Sequence, residues 1–131
     1  MDQPTNKIKI AVVDDEKDLV ELIKARLESK GFTVIFAYDG LSGLELIRKE
    51  NPDLVILDIM MPKMDGRDVL IQVRKDQEVG KVPVVILTCK KEQFERDYGF
   101  EIGADAYIEK PYDPDMLLRE ISHLLDRTKD K

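Results

Sequence analysis

The chain has 131 residues, of which 43% are hydrophobic and 37% charged, so it is expected to fold as one domain with a buried core and not to be disordered. Its net charge of -6 argues against a nucleic-acid-binding face, which needs a basic stripe. No apolar run approaches the ~18 residues that would favour a membrane partner, and the single cysteine, Cys89, forms no internal disulfide, so a cytoplasmic location is expected.

In the first part of the chain, apolar β-branched segments alternate with segments of helical spacing. Residues 7–13 and 32–37 are predicted to be buried strands. Gly31 lies where the first helix would end, Asp39 can cap the second helix, and Pro52 stops it. The inward faces of these helices are expected to carry Leu19, Leu22, Ile23, Leu27, Leu41, Leu44 and Ile47.

The second part of the chain continues this alternation. Residues 53–57, 82–88 and 105–109 are predicted as the third, fourth and fifth strands, and residues 91–102 as a weaker fourth helix. The pair Asp113-Pro114 has the residue types expected at the cap and first position of a fifth helix. The inward faces of the third and fifth helices are expected to carry Val69, Leu70, Val73, Leu117, Ile121, Leu124 and Leu125.

Five βα units with apolar, non-alternating strands predict an α/β fold, in which a parallel sheet is covered by helices on both faces. Each crossover should be right-handed. The chain is predicted to be one doubly wound domain over residues 1–131, with a core over 7–127. Residues 128–131 are read as a polar tail or the start of a linker. Such sheets place their working groups at the carboxyl ends of the strands.

Five side chains with useful chemistry lie at those strand ends: Asp14, Asp15, Asp58, Thr88 and Lys110. Three neighbouring carboxylates repel one another and raise one another's pKa. Either Lys110 or a hard divalent cation such as Mg²⁺ can compensate for this repulsion. A carboxylate held in this way can act as a nucleophile toward phosphorus, which would give an aspartyl phosphate.

Four motifs occur in order along the chain: "VVDDE", "LVILDIMMPKMDG", "VVILT" and "YIEKPYD". With these motifs, the sequence resembles a response-regulator receiver domain of two-component signalling, over residues Lys7 to Arg127. The resemblance implies a flavodoxin-like (βα)5 fold whose five-stranded parallel sheet has the strand order 2-1-3-4-5.

The resemblance also implies roles for the acidic residues. Asp58 would be the phosphoacceptor. Asp14 and Asp15 would be the metal-site acids, and the backbone carbonyl of Met60 would be a further ligand of Mg²⁺. Met60 also occupies a position that varies in the family and is associated with the rate of dephosphorylation.

On the other side of the site, Thr88 would be the switch hydroxyl and Lys110 the phosphate-binding lysine. Tyr107 would be the aromatic residue that swings inward on activation, and Lys110-Pro111 would be a cis peptide. One position departs from the commonest family pattern, because Cys89 follows Thr88 where alanine or glycine is most frequent. This larger side chain could crowd the phosphoryl group or the attacking water.

The function implied is a phosphorylation-activated switch that takes a phosphoryl group from a sensor histidine kinase or a phosphotransfer protein. It would catalyse its own phosphorylation and dephosphorylation without being a turnover enzyme. The signal would pass to a downstream protein through the face of the fourth helix, fifth strand and fifth helix. The sequence names neither that protein nor the kinase, and it leaves open a phosphorylation-dependent dimer.

Two other functions fit part of the pattern. A Mg²⁺-dependent phosphatase of the haloacid dehalogenase type uses similar residues, but it needs a second aspartate two positions after the nucleophile, where this chain has Met60. A flavodoxin-like FMN carrier needs a first loop rich in Ser, Thr or Gly, whereas "DDEKD" would repel a phosphate.

Overall fold

A computed structural model describes residues 7–88 and 103–129, with side chains through Arg127. The strands are β1 (Lys9–Val13), β2 (Thr33–Ala37), β3 (Leu54–Asp58), β4 (Val84–Thr88) and β5 (Ala106–Glu109). The helices within these residues are α1 (Lys17–Ser29), α2 (Gly40–Glu50), α3 (Gly66–Lys75) and α4 (Pro114–Lys129). Helix α4 is the fifth helix of the sequence prediction. The helix predicted over residues 91–102 lies outside the described residues, as does Cys89.

All five strands form one parallel sheet in the order β2-β1-β3-β4-β5. This confirms the predicted doubly wound α/β fold and its strand order. Every residue of β3 and β4 is buried, because helices cover both faces of the sheet at its centre. Burial on both faces therefore explains why the sequences of β3 and β4 are continuously apolar.

Two apolar layers lie on opposite faces of the sheet. On one face, α1 and α4 pack over the strands through Val20, Ile23, Leu27, Leu117, Ile121, Leu124 and Leu125. On the other face, α2 and α3 pack through Leu44, Ile47, Val69, Leu70 and Val73. Among the described part of the chain, every helix is too short or too polar to cross a membrane.

Three predicted helix ends are confirmed. Asp39 caps α2, since its carboxylate accepts a hydrogen bond from the Ser42 backbone N–H at 2.8 Å. Asp113 does the same at the start of α4, where it accepts from Asp115 at 2.9 Å. Gly31 follows α1 with a φ of 93°, a left-handed conformation that glycine adopts without steric cost.

Two residues predicted to face inward point to solvent instead. Leu22 is 67% exposed and Leu41 is 46% exposed. In α1 the buried stripe runs through Val20, Ile23 and Leu27, and Leu22 lies off it because successive residues turn by about 100° around the helix axis. In α2 the residues that face the sheet include glycine, which a search for apolar side chains does not detect.

Candidate functional site

The strand register brings the predicted site residues to one edge of the sheet. Val13 pairs with Leu57, so the next residues, Asp14 and Asp58, end neighbouring strands. On the other side of β3, Asp58 pairs with Leu87, next to Thr88. Thr88 in turn pairs with Glu109, which precedes Lys110. The backbone N–H of Lys110 also donates to the Thr88 carbonyl oxygen at 2.9 Å.

Three carboxylates meet at this edge. Asp14, Asp15 and Asp58 each offer one oxygen, and these oxygens lie within 4.8 Å of one another. Asp14 and Asp58 are buried, at 1% and 6% exposure, while Asp15 is exposed. One oxygen of Asp58 accepts a hydrogen bond from the Ile59 backbone N–H at 2.8 Å, which fixes the orientation of the carboxyl group.

Lys110 supplies the positive charge of this cluster. Its Nζ lies 2.7 Å from Glu16 Oε1, 2.9 Å from Asp14 Oδ2 and 3.5 Å from Asp58 Oδ2. Its side chain is 10% exposed. The peptide bond after it, Lys110-Pro111, is cis, as the resemblance implied.

Burial and like charge set the protonation behaviour of the site. Burial, followed by the charge of Asp14, raises the pKa of Asp58 to about 6, although Lys110 and the Ile59 N–H oppose the rise. Burial also raises the pKa of Asp14. Burial alone would lower the pKa of Lys110, but its carboxylate partners, Glu16 and Asp14 above all, raise it. The single positive charge of Lys110 is therefore not enough to balance the negative charges of the neighbouring carboxylates.

The donor set fits a hard divalent cation. All three side chains offer carboxylate oxygens, the ligand type that Mg²⁺ prefers. Asp14 Oδ2 is buried and accepts no well-directed hydrogen bond within the described residues, although Lys110 lies near it as an ion-pair partner. A buried oxygen in that state has free lone pairs for a cation. Met60, two residues beyond Asp58, is 70% exposed at the surface.

The two predicted switch residues lie on the adjacent strands. Thr88 is the last residue of β4 and is 5% exposed. Tyr107 lies on β5 and is 8% exposed, in the apolar layer that includes Ile86 and Ala104. Its side chain is therefore largely buried in this structure.

Two residues near the site were not singled out from the sequence. Glu16 contacts Lys110. In the sequence, only its position directly after the acid pair points to a place near the site. Gly66 begins α3, and its backbone N–H donates to the Ile59 carbonyl oxygen at 2.7 Å. A Cβ atom at Gly66 would collide with the Asp58 carbonyl oxygen, so only glycine lets this turn close against the end of β3.

Comparison with known proteins gives one consistent family. A family model described as the response regulator receiver domain matches residues 10–122. The alkaline phosphatase synthesis transcriptional regulatory protein PhoP of Bacillus subtilis is 41% identical over 120 residues, which cover 92% of this chain and 49% of that protein. The probable transcriptional regulator ycf27 of Guillardia theta is 43% identical over 122 residues, which cover 93% of this chain and 47% of that protein. The chain thus spans about half the length of these curated relatives.

Solved structures agree with this result. The receiver domain of the Francisella response regulator 1452 superposes with a TM-score of 0.85 at 34% identity, covering 93% of this chain and 99% of that one. A CheY-like receiver domain protein from Methanospirillum hungatei superposes with a TM-score of 0.89 at 30% identity, covering 95% of this chain and 98% of that one. Since the family model spans most of the chain and the fold and relatives agree with it, this chain belongs to the response regulator receiver domain family of two-component signalling.

Proposed function

We propose that this chain is a phosphorylation-controlled switch in which Asp58 accepts the phosphoryl group. The observation that carries the proposal is the meeting of Asp14, Asp15 and Asp58 with Lys110 at one edge of the sheet. Burial and the nearby charge of Asp14 destabilise the charged form of Asp58, and Lys110, 3.5 Å away, offsets this only in part. Such a perturbed carboxyl group is characteristic of functional sites.

The chemical step is an in-line displacement at phosphorus. An oxygen of the Asp58 carboxylate attacks the phosphorus of a phosphohistidine on a sensor kinase or a phosphotransfer protein. The new O–P bond forms as the P–N bond breaks, and the histidine nitrogen leaves with the bonding electron pair and takes up a proton. The product is an acyl phosphate on Asp58, and a later attack by water on phosphorus returns the carboxylate and inorganic phosphate.

Mg²⁺ would be held by the carboxylates of Asp14, Asp15 and Asp58 and by the backbone carbonyl of Met60. When bound, the ion offsets the negative charge of the transferring phosphoryl group. Lys110 would contribute a second positive charge, since its Nζ lies 3.5 Å from Asp58 Oδ2. Thr88 donates its hydroxyl hydrogen to a phosphoryl oxygen.

Phosphorylation adds about 1.5 to 2 negative charges and three strong acceptor oxygens at Asp58. These draw Thr88 toward the phosphoryl group, and Tyr107 occupies the space that Thr88 leaves. As the resemblance implies, the response would reach the face of the predicted fourth helix with β5 and α4, which would then bind a downstream protein or a second copy of the chain. A cytoplasmic location remains a prediction from the composition.

The proposal is tested by incubating the protein with acetyl phosphate and Mg²⁺ and measuring its intact mass. We expect one added phosphoryl group on the wild type, and none when Mg²⁺ is removed by a chelator. Asp58→Asn should remain unmodified, because its amide is not a nucleophile toward phosphorus. An unmodified wild type, or an Asp58→Asn variant that gains the same mass, would contradict the proposal.

A suitable control is Asp53→Asn. Asp53 precedes β3 at its opposite end, where its carboxylate accepts from the Lys9 backbone N–H at 2.8 Å. This variant removes one carboxylate next to the same strand without changing the site, so it should be phosphorylated like the wild type. Steady release of phosphate from simple esters by the wild type would instead favour a phosphatase.

A further inference from the structure

Glu16 holds the lysine of the site more closely than Asp58 does. Its Oε1 lies 2.7 Å from Lys110 Nζ, in a charge-assisted hydrogen bond, whereas Asp58 Oδ2 lies 3.5 Å from the same nitrogen. The Glu16 side chain is 60% exposed, while those of Lys110 and Asp58 are at most 10% exposed. Glu16 thus draws the ammonium group toward the solvent-exposed edge of the site.

The position of Glu16 at the start of α1 does not explain this residue. It is the N-cap of α1, a position that favours a short side chain able to bond the first backbone N–H groups. The carboxylate of Glu16 makes no such bond; the backbone N–H of Glu16 instead donates to Asp14 Oδ1 at 2.9 Å. The backbone is therefore fixed by the acid pair, and the side chain is free to bind Lys110.

We propose that Glu16 is a positioning residue that competes with the phosphoryl group for Lys110. It binds the ammonium group in the unmodified protein and releases it when a phosphoryl group on Asp58 attracts it. This inference rests on the proposed function of Asp58 and concerns the balance between the unmodified and modified states.

Thermodynamic linkage gives the expected effect of removing the Glu16 carboxylate on phosphorylation. An interaction made only in the unmodified state stabilises that state, so removing it shifts the balance toward the phosphorylated form. Because Glu16 is largely exposed, its ion pair with Lys110 is weakened by solvent, and its loss should change affinity by about 2- to 5-fold.

The test uses beryllium fluoride, which binds a carboxylate as a mimic of the phosphoryl group, in the presence of saturating Mg²⁺. Its affinity for the full chain is measured by NMR titration. We expect Glu16→Gln and Glu16→Ala to bind the mimic about 2- to 5-fold more tightly than the wild type. Equal or weaker binding by both variants would overturn the role of Glu16.

The matched control is Asp18→Asn. Asp18 lies in the first turn of α1 and is exposed, and the ion pairs of Lys110 within the described residues are with Asp14, Glu16 and Asp58. Removing this acid changes the net charge by the same amount as Glu16→Gln. Its affinity for the mimic should match that of the wild type; a gain equal to that of Glu16→Gln would mean that overall charge is responsible, and would overturn the inference.

A second readout follows Lys110 directly. The ¹⁵N signal of its ammonium group should differ between Glu16→Gln and the wild type before the mimic is added, and should coincide afterwards. A difference that persists in the bound state would overturn the competition. A wild type that does not bind beryllium fluoride at all would instead refute the proposed function of Asp58, so the two failures are distinguishable.

Discussion

The Asp58 carboxyl group is buried beside a second acid, and its pKa is raised to about 6 from an ordinary value of 3.8. For an acid, a raised pKa in the folded protein means that the charged form is less stable there than in the unfolded chain. In the metal-free protein, burial above all, and repulsion by Asp14 after it, make the charged form of Asp58 costly. This cost destabilises the metal-free fold, and a bound cation is expected to relieve it.

The raised pKa of Asp58 predicts a pH-dependent effect of Asp58→Asn on stability in metal-free buffer. The stability associated with protonated Asp58 is fully present below pH 3.8 and is lost as the pH rises through about 6. At about pH 7.5 the variant should be more stable than the wild type by up to about 3 kcal/mol, from a difference of about two pKa units.

Urea unfolding of both proteins across this pH range measures the effect. The difference should shrink toward zero near pH 4, since the asparagine then resembles the protonated acid in charge. A variant that is less stable than the wild type at neutral pH would show that burial and Asp14 do not destabilise the charged form of Asp58.

At the scale of elements, the turn between β3 and α3 depends on Gly66. Alanine is the better helix former by about 1 kcal/mol, so an unconstrained first helical position would gain stability from the substitution. Here the added Cβ meets the Asp58 carbonyl oxygen. We expect Gly66→Ala to lower the free energy of unfolding by about 1 to 3 kcal/mol, and to slow phosphorylation because Asp58 is displaced.

Asp68→Ala is the comparison for this substitution. Asp68 is exposed in the same turn of α3, and its loss should change the free energy of unfolding by less than about 1 kcal/mol. Chemical denaturation and acetyl phosphate labelling of both variants separate the two effects. Wild-type stability and labelling in Gly66→Ala would contradict the close approach at this turn.

Far from the site, Arg74 joins three segments at the opposite end of the sheet. Its guanidinium donates to the carbonyl oxygens of Gly80, Val82 and Gly103, and to the Asp105 carboxylate at 3.0 Å. The same Asp105 carboxylate accepts from the Val84 backbone N–H at 2.8 Å. The start of β4, the start of β5 and the end of α3 are thereby held together.

Two arginines that share one carboxylate provide a matched pair of variants. Arg74→Ala leaves several partly buried acceptors without a donor and should cost about 3 kcal/mol of stability. Arg127 also pairs with Asp105, at 3.3 Å, but its side chain is 52% exposed, so Arg127→Ala should cost less than about 1 kcal/mol. Thermal unfolding measures both, and equal losses would contradict the central place of Arg74.

At the scale of the whole molecule, we expect cation binding and folding to be coupled through the three acids. A ligand that binds only the folded state stabilises it by about 2.7 kcal/mol at a concentration 100-fold above its Kd. Mg²⁺ should therefore raise the Tm of the wild type, and should raise that of Asp58→Asn less, because one ligand has lost its charge.

The order of stability should also change with the metal. Without Mg²⁺, Asp58→Asn should have a higher Tm than the wild type. Saturating Mg²⁺ should reduce this difference in Tm or reverse its sign. Differential scanning calorimetry with and without a chelator measures this. An equal rise in Tm for both proteins would mean that the cation binds elsewhere.

Much of this architecture could be predicted from the sequence, because continuous apolar strands have few structural solutions. The runs of β3 and β4 predict a sheet covered on both faces, and the rule for parallel sheets then places Asp58 and Lys110 at one edge. Strand starts were less accurate. The strand predicted over 82–88 begins at Val84, after Pro83, which has no N–H to donate to the sheet.

Other features depend on geometry that a linear pattern does not contain. Leu22 and Leu41 are apolar yet exposed, since the phase of each helix is set by the sheet it covers. The contact of Glu16 with Lys110 joins residues 94 positions apart, and the need for glycine at position 66 arises from the path of the turn. Such contacts become visible only after the chain is folded.

The most direct test of the central role of Asp58 is to locate the phosphoryl group chemically. After incubation with acetyl phosphate and Mg²⁺, borohydride reduces an aspartyl phosphate to homoserine with loss of phosphate, and peptide mass spectrometry then locates the change. We predict homoserine at position 58 alone, and none in the chelated sample. Homoserine at Asp14 or Asp15, with Asp58 intact, would contradict the account.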